Sequence, residues 1–215
     1  PLARSSARRS TAAARAARAG EVREALARAA ATSAALAPVG RRRARKEAAG
    51  GGLVVLRARY GPPFRLDADD EAVAAACAAA LNGESGEGEG VGSSLASVIT
   101  SSPPRPEDME DEALVAQGGA IDVTPAVRLL VEGGALRLSG AAPRVGLLGF
   151  SDPAPGEVKA LSVRFVAGGK AYKVRVRDGD GAALPERAGG ALAPGTAEAG
   201  AMVAAAAELA EGGGA

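Results

Sequence analysis

Two hydrophobic periods divide the chain. Along residues 1–48, Val22, Leu26, Ala29, Ser33 and Leu36 recur at three- and four-residue spacing, which predicts a helix with one narrow apolar side. Alanine and arginine, the commonest residues there, are strong helix formers, and Glu24 with Arg28 makes a favourable i,i+4 pair. Gly20 weakens the middle, and Pro38 with Gly40 should end or kink the helix before "RRRARKE". So narrow a stripe needs a partner surface.

From Gly52 the period becomes two. "LVVLRARY" (53–60) predicts a strand closed by Gly61-Pro62-Pro63. The β pattern resumes in "IDVTPAVRLLVEGGALRLS" (121–139), where Gly133-Gly134 forms a two-residue hairpin turn that would pair Val131 with Leu136 and Leu129 with Leu138. "LSVRFVAGGKAYKVRVRDG" (161–179) turns at Gly168-Gly169, with Phe165 opposite Tyr172, Val163 opposite Val174 and Leu161 opposite Val176. The other face sets Arg164 opposite Lys173 and Ser162 opposite Arg175, so one side of this sheet is expected to be wet. With a further strand near 182–185, the expectation is a mainly β fold: a small antiparallel β-sandwich, preceded by a basic helix. The β domain spans 52–187 and carries a long acidic insertion, 66–118, of disordered type around a possible short helix at 69–81. The tail, 188–215, is Ala/Gly-rich with at most a short helix near 198–210.

Composition narrows the core. Hydrophobic residues are 47% of the 215, much of that alanine, whereas aromatics are 2% and tryptophan is absent, so the compact core should be smaller than the chain. The net charge of +1 conceals segregation. Residues 1–48 hold twelve Arg or Lys against three Glu, a local charge of +9; residues 66–118 hold twelve Asp or Glu against Arg105, a local charge of −11. Blocks of this kind seek opposite charge on the same chain, on partners or on membranes. No apolar run is long enough for a transmembrane helix. The chain begins with Pro1, which reads as a fragment or processed product, and "ARSSARRSTAAARAARAG" also has the basic, acid-free look of an organellar transit peptide.

Zero histidines remove Ser-His-Asp and Cys-His catalysis and histidine metal sites together. The single cysteine, Cys77, rules out an intramolecular disulfide and reads as a buried small hydrophobe in "EAVAAACAAAL". "GLLGFSDPAPGE" (146–157) approaches the G-x-S-x-G elbow at Ser151, but Pro153 stands at the final glycine position and Asp152-Pro153 and Pro155-Gly156 are turn formers. It is expected to be a turn. "GEGEGVG" is acidic and lacks a phosphate-binding spacing, and "GGKAY" lacks the P-loop ending, leaving Lys170 as a hairpin-flanking lysine. "DGDGAALPE" (178–186) misses the offsets of a calcium loop, and "DADDE" (67–71) reads as a solvated helix start rather than a cation site. No catalytic, cofactor-binding or metal-binding residue is assigned. The basic helix suits an anionic membrane surface or an acidic protein better than nucleic acid, because the β face lacks exposed aromatics and the acidic insertion would oppose phosphate.

The series "GGLVVLRARYG", "IDVTPAVRLLVEGGALRLSGAAPRVGLLGFSDPAPGE" and "LSVRFVAGGKAYKVRVRDGDGAALP" resembles the C-terminal domain of the DnaJ-like protein subfamily C member eleven family. The resemblance covers about half of the chain, in order, and its sharpest marker is the Leu-x-Gly-Phe-x-Asp-Pro turn with both flanking hairpins. It places residues 1–48 where the family has a charged helix, which lowers the weight of a transit peptide; the interruption at Pro38 and the length of 66–118 depart from the family pattern. It implies a co-chaperone family whose animal members associate with cristae-organising complexes at mitochondrial membranes. Cytoplasm or another organelle is the alternative location. Hsp70 stimulation in such proteins needs the His-Pro-Asp motif of a J domain, which this chain, without histidine, does not contain. The expected role is therefore a non-catalytic interaction or scaffold domain, with protein partners. The alternative is a membrane-surface or nucleic-acid-binding module using the basic helix.

Overall fold

A computed structural model describes residues 2–82, 119–186 and 190–211. The first element, α1 (Leu2–Ala49), is one helix of 48 residues. It does not end at Pro38. Pro38 and Ala34, the residue whose carbonyl loses its helical partner, are both on the exposed side, where water can satisfy that carbonyl. Meanwhile Gly40, Ala44 and Glu47 on the opposite side are buried. Contacts on both sides of the proline hold the helix to the body: before it Leu36 packs against the main core, and after it an added Cβ on Gly40 would lie 3.0 Å from the Pro125 backbone, and the Arg43 Nε donates to the Val131 carbonyl at 2.9 Å.

After β1 (Val54–Gly61) the chain forms α2 (Pro63–Asn82), β2 (Ile121–Asp122), α3 (Thr124–Leu129), β3 (Val131–Glu132) and β4 (Ala135–Leu138). A short 3-10 turn (Arg144–Gly146) precedes β5 (Ala160–Ala167), β6 (Lys170–Arg177), β7 (Ala182–Leu184) and α4 (Ala197–Glu211). Two antiparallel sheets result, one ordered β2-β1-β5-β6 and the other β3-β4-β7. The expected antiparallel sheets are present, but the chain is not mainly β, since α1 alone outnumbers all strand residues together. Nor is it a bare sandwich: α1, α2, α3 and α4 all pack on the strands.

The β5–β6 hairpin has the expected register, Phe165 to Tyr172, Val163 to Val174 and Leu161 to Val176. Its turn needs Gly168 and Gly169 because both have positive φ, 54° and 72°. The earlier hairpin is correct only at its tip. Val131 faces Leu136, but the expected partnership of Leu129 with Leu138 fails, because 124–129 is the helix α3 and Leu138 pairs instead with Ala182 of β7. The cause lies in "IDVTP". The Asp122 carboxylate accepts from the Thr124 amide (2.9 Å) and hydroxyl (2.6 Å), and Pro125 pre-sets the first helical turn. Local polar chemistry overrides the apolar run.

Residues 83–118, most of the expected acidic insertion, lie outside the described residues; the insertion's first part is all of α2 beyond its first three residues, a helix longer than the 69–81 expected. The tail carries α4 over 15 residues, close to the expected helix.

The main core joins both sheets to α1 and α3, with Val55, Ala58, Tyr60, Leu136, Phe150, Leu161, Val163 and Phe165 in contact. Phe165 stacks on Tyr172 with ring centroids 5.0 Å apart, and Tyr60 meets Phe150 edge-on at 5.2 Å. A second core, on the other face of the four-stranded sheet, sets Val54, Leu56 and Val166 against Val73 of α2 and Met202, Ala205 and Ala206 of α4. That sheet therefore has no wet face.

Candidate functional site

Simple alternation along "LVVLRARY" would put Val55, Arg57 and Arg59 on one face. The ladder shifts between Val55 and Arg57, leaving Leu56 as the extra residue of a β-bulge. After the shift, Val55, Ala58 and Tyr60 line up with Phe165, Val163 and Leu161, while Arg57 and Arg59 line up with Arg164 and Ser162. The bulge leaves carbonyls outside the ladder, and Arg128 of α3 answers them: its Nε donates to Val55 O at 2.8 Å and its guanidinium to Leu56 O at 3.4 Å. Burial, and then the nearby Arg41, push the Arg128 pKa down, partly offset by Asp122.

The bulge thus gathers Arg57, Arg59, Arg164, Lys173 and Arg175 on one sheet face. Arg164 is 2% exposed and Ser162 4%. Acidic side chains from two helices close this face. Asp70 of α2 pairs with Arg164 (2.7 Å), Lys173 (2.9 Å) and Arg175 (2.9 Å), and Arg175 also meets Asp67. Glu198 in the first turn of α4 takes the Arg164 Nε at 2.8 Å. The face expected to be wet is a buried ion network, and no nucleic acid could reach it without removing both helices. "DADDE" is correspondingly a clamp rather than a solvated helix start: Asp67 and Asp70 are engaged with the sheet, and among the described residues no group of acids, cysteine or histidine could hold a metal ion.

A second polar cluster ties the 146–157 connection to the sheet end. Arg144, 1% exposed, donates to the carbonyls of Arg177 and Asp180 and sits 3.3 Å from the Asp178 carboxylate, which also accepts from the Tyr60 hydroxyl at 2.8 Å. Burial first, and Asp178 second, push the Tyr60 pKa well above its ordinary value. Asp152 accepts from the Ala154 amide at 3.0 Å and from Lys159 at 3.1 Å. Gly149 is required twice over: its φ is +85°, and an added Cβ would lie 2.7 Å from the Ala126 Cβ of α3. Phe150 is buried beside Tyr60, so the segment is an anchored turn, as expected. Ser151 is half-buried, and among the described residues its hydroxyl has no hydrogen bond to a base. "DGDGAALPE" likewise serves structure, through Asp178, the Asp180 carbonyl and β7. Lys170 flanks the hairpin turn and is exposed. Cys77 falls on α2 and "GEGEGVG" in 83–118; the Cys77 side chain and that segment lie outside the described residues.

Sequence reasoning missed the engagement of the sheet arginines with α2 and α4. The signal was present: arginines alternating inside otherwise apolar strands need acids nearby, and Asp67, Asp70 and Glu198 were among the helical acids at hand.

The family profile described as DnaJ-like protein C11, C-terminal, matches residues 13–185. The chain belongs to that family. The matched span takes in most of α1, both hairpins and the anchored turn, so in the DnaJ-like C-terminal domain most of α1 lies inside the matched unit. No curated protein and no solved structure matches the chain.

Proposed function

We propose that this DnaJ-like C-terminal domain is a non-catalytic interaction and scaffold module, acting with protein partners at a mitochondrial membrane. One observation carries the reading. Among the described residues, the charged groups of the two buried clusters are closed against each other or against backbone carbonyls, whereas the β4–β5 connection presents Val145, Leu147, Leu148 and Val158 outward, the last two 69% and 70% exposed. Apolar side chains concentrated on one rigidly anchored segment are typical of contact surfaces.

The test is proximity labelling in cells with the longest natural form of the protein, comparing wild type with Leu148→Ser/Val158→Ser. Loss of a discrete set of mitochondrial membrane neighbours in the variant is expected; an unchanged set overturns the reading. The isolated chain should also leave the Hsp70 ATPase rate unchanged, and clear stimulation would refute the non-catalytic assignment.

A second reading, binding to an anionic membrane surface or nucleic acid, draws support from Arg41, Arg42, Arg45 and Lys46. These are exposed cations on the last turns of α1 with no acidic partner among the described residues. Sedimentation with anionic vesicles and a salt titration against duplex DNA, using wild type and a charge-neutralised α1, separate the two readings.

A further inference from the structure

The buried side of α1 is defined by Ala19, Val22, Ala25, Ala29, Gly40, Ala44 and Glu47, which face the rest of the protein. On the other side, Glu21, Glu24, Arg28, Ala31, Ala35, Pro38, Arg42 and Arg45 are all exposed. Their spacing alternates strictly between three and four residues. That is the repeat of a helix seam that packs against another helix, here with none of the described residues packed on it.

The seam has an order. Its N-terminal end is acidic (Glu21, Glu24), its middle small (Ala31, Ala35), and its C-terminal end basic (Arg42, Arg45). We propose that α1 pairs through this seam with α1 of a second copy of the chain, antiparallel and two-fold symmetric about Ser33. Relative to Ser33, Glu21 and Arg45 are equidistant, as are Glu24 and Arg42, Arg28 and Pro38, and Ala31 and Ala35. A two-fold axis there sets each acid against a base of the other copy at both ends. It also sets alanine against alanine at the centre, where small side chains allow the helices to approach closely.

A parallel pair would stack Arg42 and Arg45 on themselves and is disfavoured by like charge. The ion pair Glu24–Arg28, at 2.5 Å within one helix, is exposed on both partners, so Glu24 keeps a free side for the opposing Arg42. The seam runs about 36 Å from Glu21 to Arg45 at the helical rise of ~1.5 Å per residue, and the body of each copy lies on the far side of its own helix. With no large apolar anchor, the interface belongs to the weak, salt-sensitive class. This association goes beyond the scaffold reading and does not depend on it.

The experiment is sedimentation velocity on the full chain from about 1 to about 200 micromolar at low salt, the range in which a weak interface is populated. Wild type should show concentration-dependent dimer that weakens at least tenfold in higher salt. Glu21→Arg/Glu24→Arg and Arg42→Glu/Arg45→Glu should each remain monomeric, with unchanged circular dichroism because all four positions are exposed. Mixed one to one, the two variants should form the heterodimer, since each then offers the charge the other lacks. A wild-type monomer throughout the range overturns the proposal. So does a dimer insensitive to either variant, or a mixture that fails to restore association. Binding of α1 to a polyglutamate peptide without self-association would equally replace this proposal with an acidic partner.

Discussion

Asp70 is the hub of the buried network, and its replacement by Asn tests how α2 is held. The substitution keeps shape and removes charge. Its carboxylate meets Arg164, Lys173 and Arg175, with only 9% of the Asp70 side chain and 2% of the Arg164 side chain exposed. Removing one partner from a buried ion pair costs about 3–5 kcal/mol, because the other charge stays desolvated. Here Arg164 keeps Glu198 at 2.8 Å, and Lys173 and Arg175, each about a third exposed, can turn to water. The expected cost of Asp70→Asn is therefore about 2–3 kcal/mol, just under that range. Asp67→Asn is the internal control: its side chain is 60% exposed, and an exposed pair contributes no more than ~1 kcal/mol. Urea unfolding at neutral pH reads both, and at ~1–3 kcal/mol per molar urea the Asp70 variant should shift the midpoint by roughly 1–2 M. A triple variant, Asp70→Asn/Arg164→Met/Glu198→Gln, should recover most of the loss, since it removes Arg164, the most deeply desolvated of the Asp70 partners, together with both of its acids. Equal costs at Asp67 and Asp70, or a triple variant worse than Asp70→Asn alone, would refute the assignment of α2 as an ionic clamp.

Other expectations follow from the anchored turn and the bulge. Tyr60→Phe should cost about 1–2 kcal/mol at pH 7, as Asp178 keeps Arg144 when the phenol is lost. Because folding raises the Tyr60 pKa, the phenol's contribution is complete below about pH 10 and falls as pH rises past it; wild type and Tyr60→Phe should converge there in thermal melts. Parallel stability curves across that range would contradict the burial of the phenol. Gly149→Ala should cost about 2–4 kcal/mol, combining left-handed backbone strain with a clash against Ala126, whereas Ser151→Ala two residues away should stay within about 0.5 kcal/mol in the same melts. Arg128→Met, which leaves the bulge carbonyls of Val55 and Leu56 unanswered, should cost roughly 1–3 kcal/mol and speed amide exchange along β1.

Residue pattern alone located the β5–β6 hairpin to the residue, since a Gly-Gly turn and a two-residue period leave one register that buries Leu161, Val163 and Phe165 together. The same logic failed at Leu129 because a continuous apolar run does not distinguish a buried strand from a buried helix, and the deciding groups were polar: Asp122, Thr124 and Pro125. Pro38 failed for a related reason. A proline's local penalty is fixed, but whether a helix survives it depends on contacts at Gly40 and Arg43 that come from distant parts of the chain. At the candidate site, the lack of histidine and the presence of Pro153 made 146–157 a turn in the sequence, and the structure shows it as an anchored turn. The arginines set among apolar strand residues signalled that acids would cover this face, but the membership of Arg57 and Arg59 was not legible, because a β-bulge at Leu56 decides which face they join, and bulges leave little trace in a hydrophobic pattern.

The segregated charge of the sequence resolves unequally in the fold. A basic N-terminal block and an acidic block after β1 invite the simple inference that they pair with each other. Among the described residues they do not: Asp67 and Asp70 are engaged by Arg164, Lys173 and Arg175 of the sheet, and Glu198 completes the neutralisation from the far end of the chain. The base that α1 carries toward its C-terminus therefore keeps no acid of the described body. Arg43 is the exception that shows why, because it is the one arginine of "RRRARKE" turned inward, onto the Val131 carbonyl and Glu47. Its neighbours Arg41, Arg42 and Arg45 are exposed. Such a helix is solvated at little cost as a monomer, yet it is arranged for an external acid, and Glu21 and Glu24 of a second copy are acids spaced to meet it.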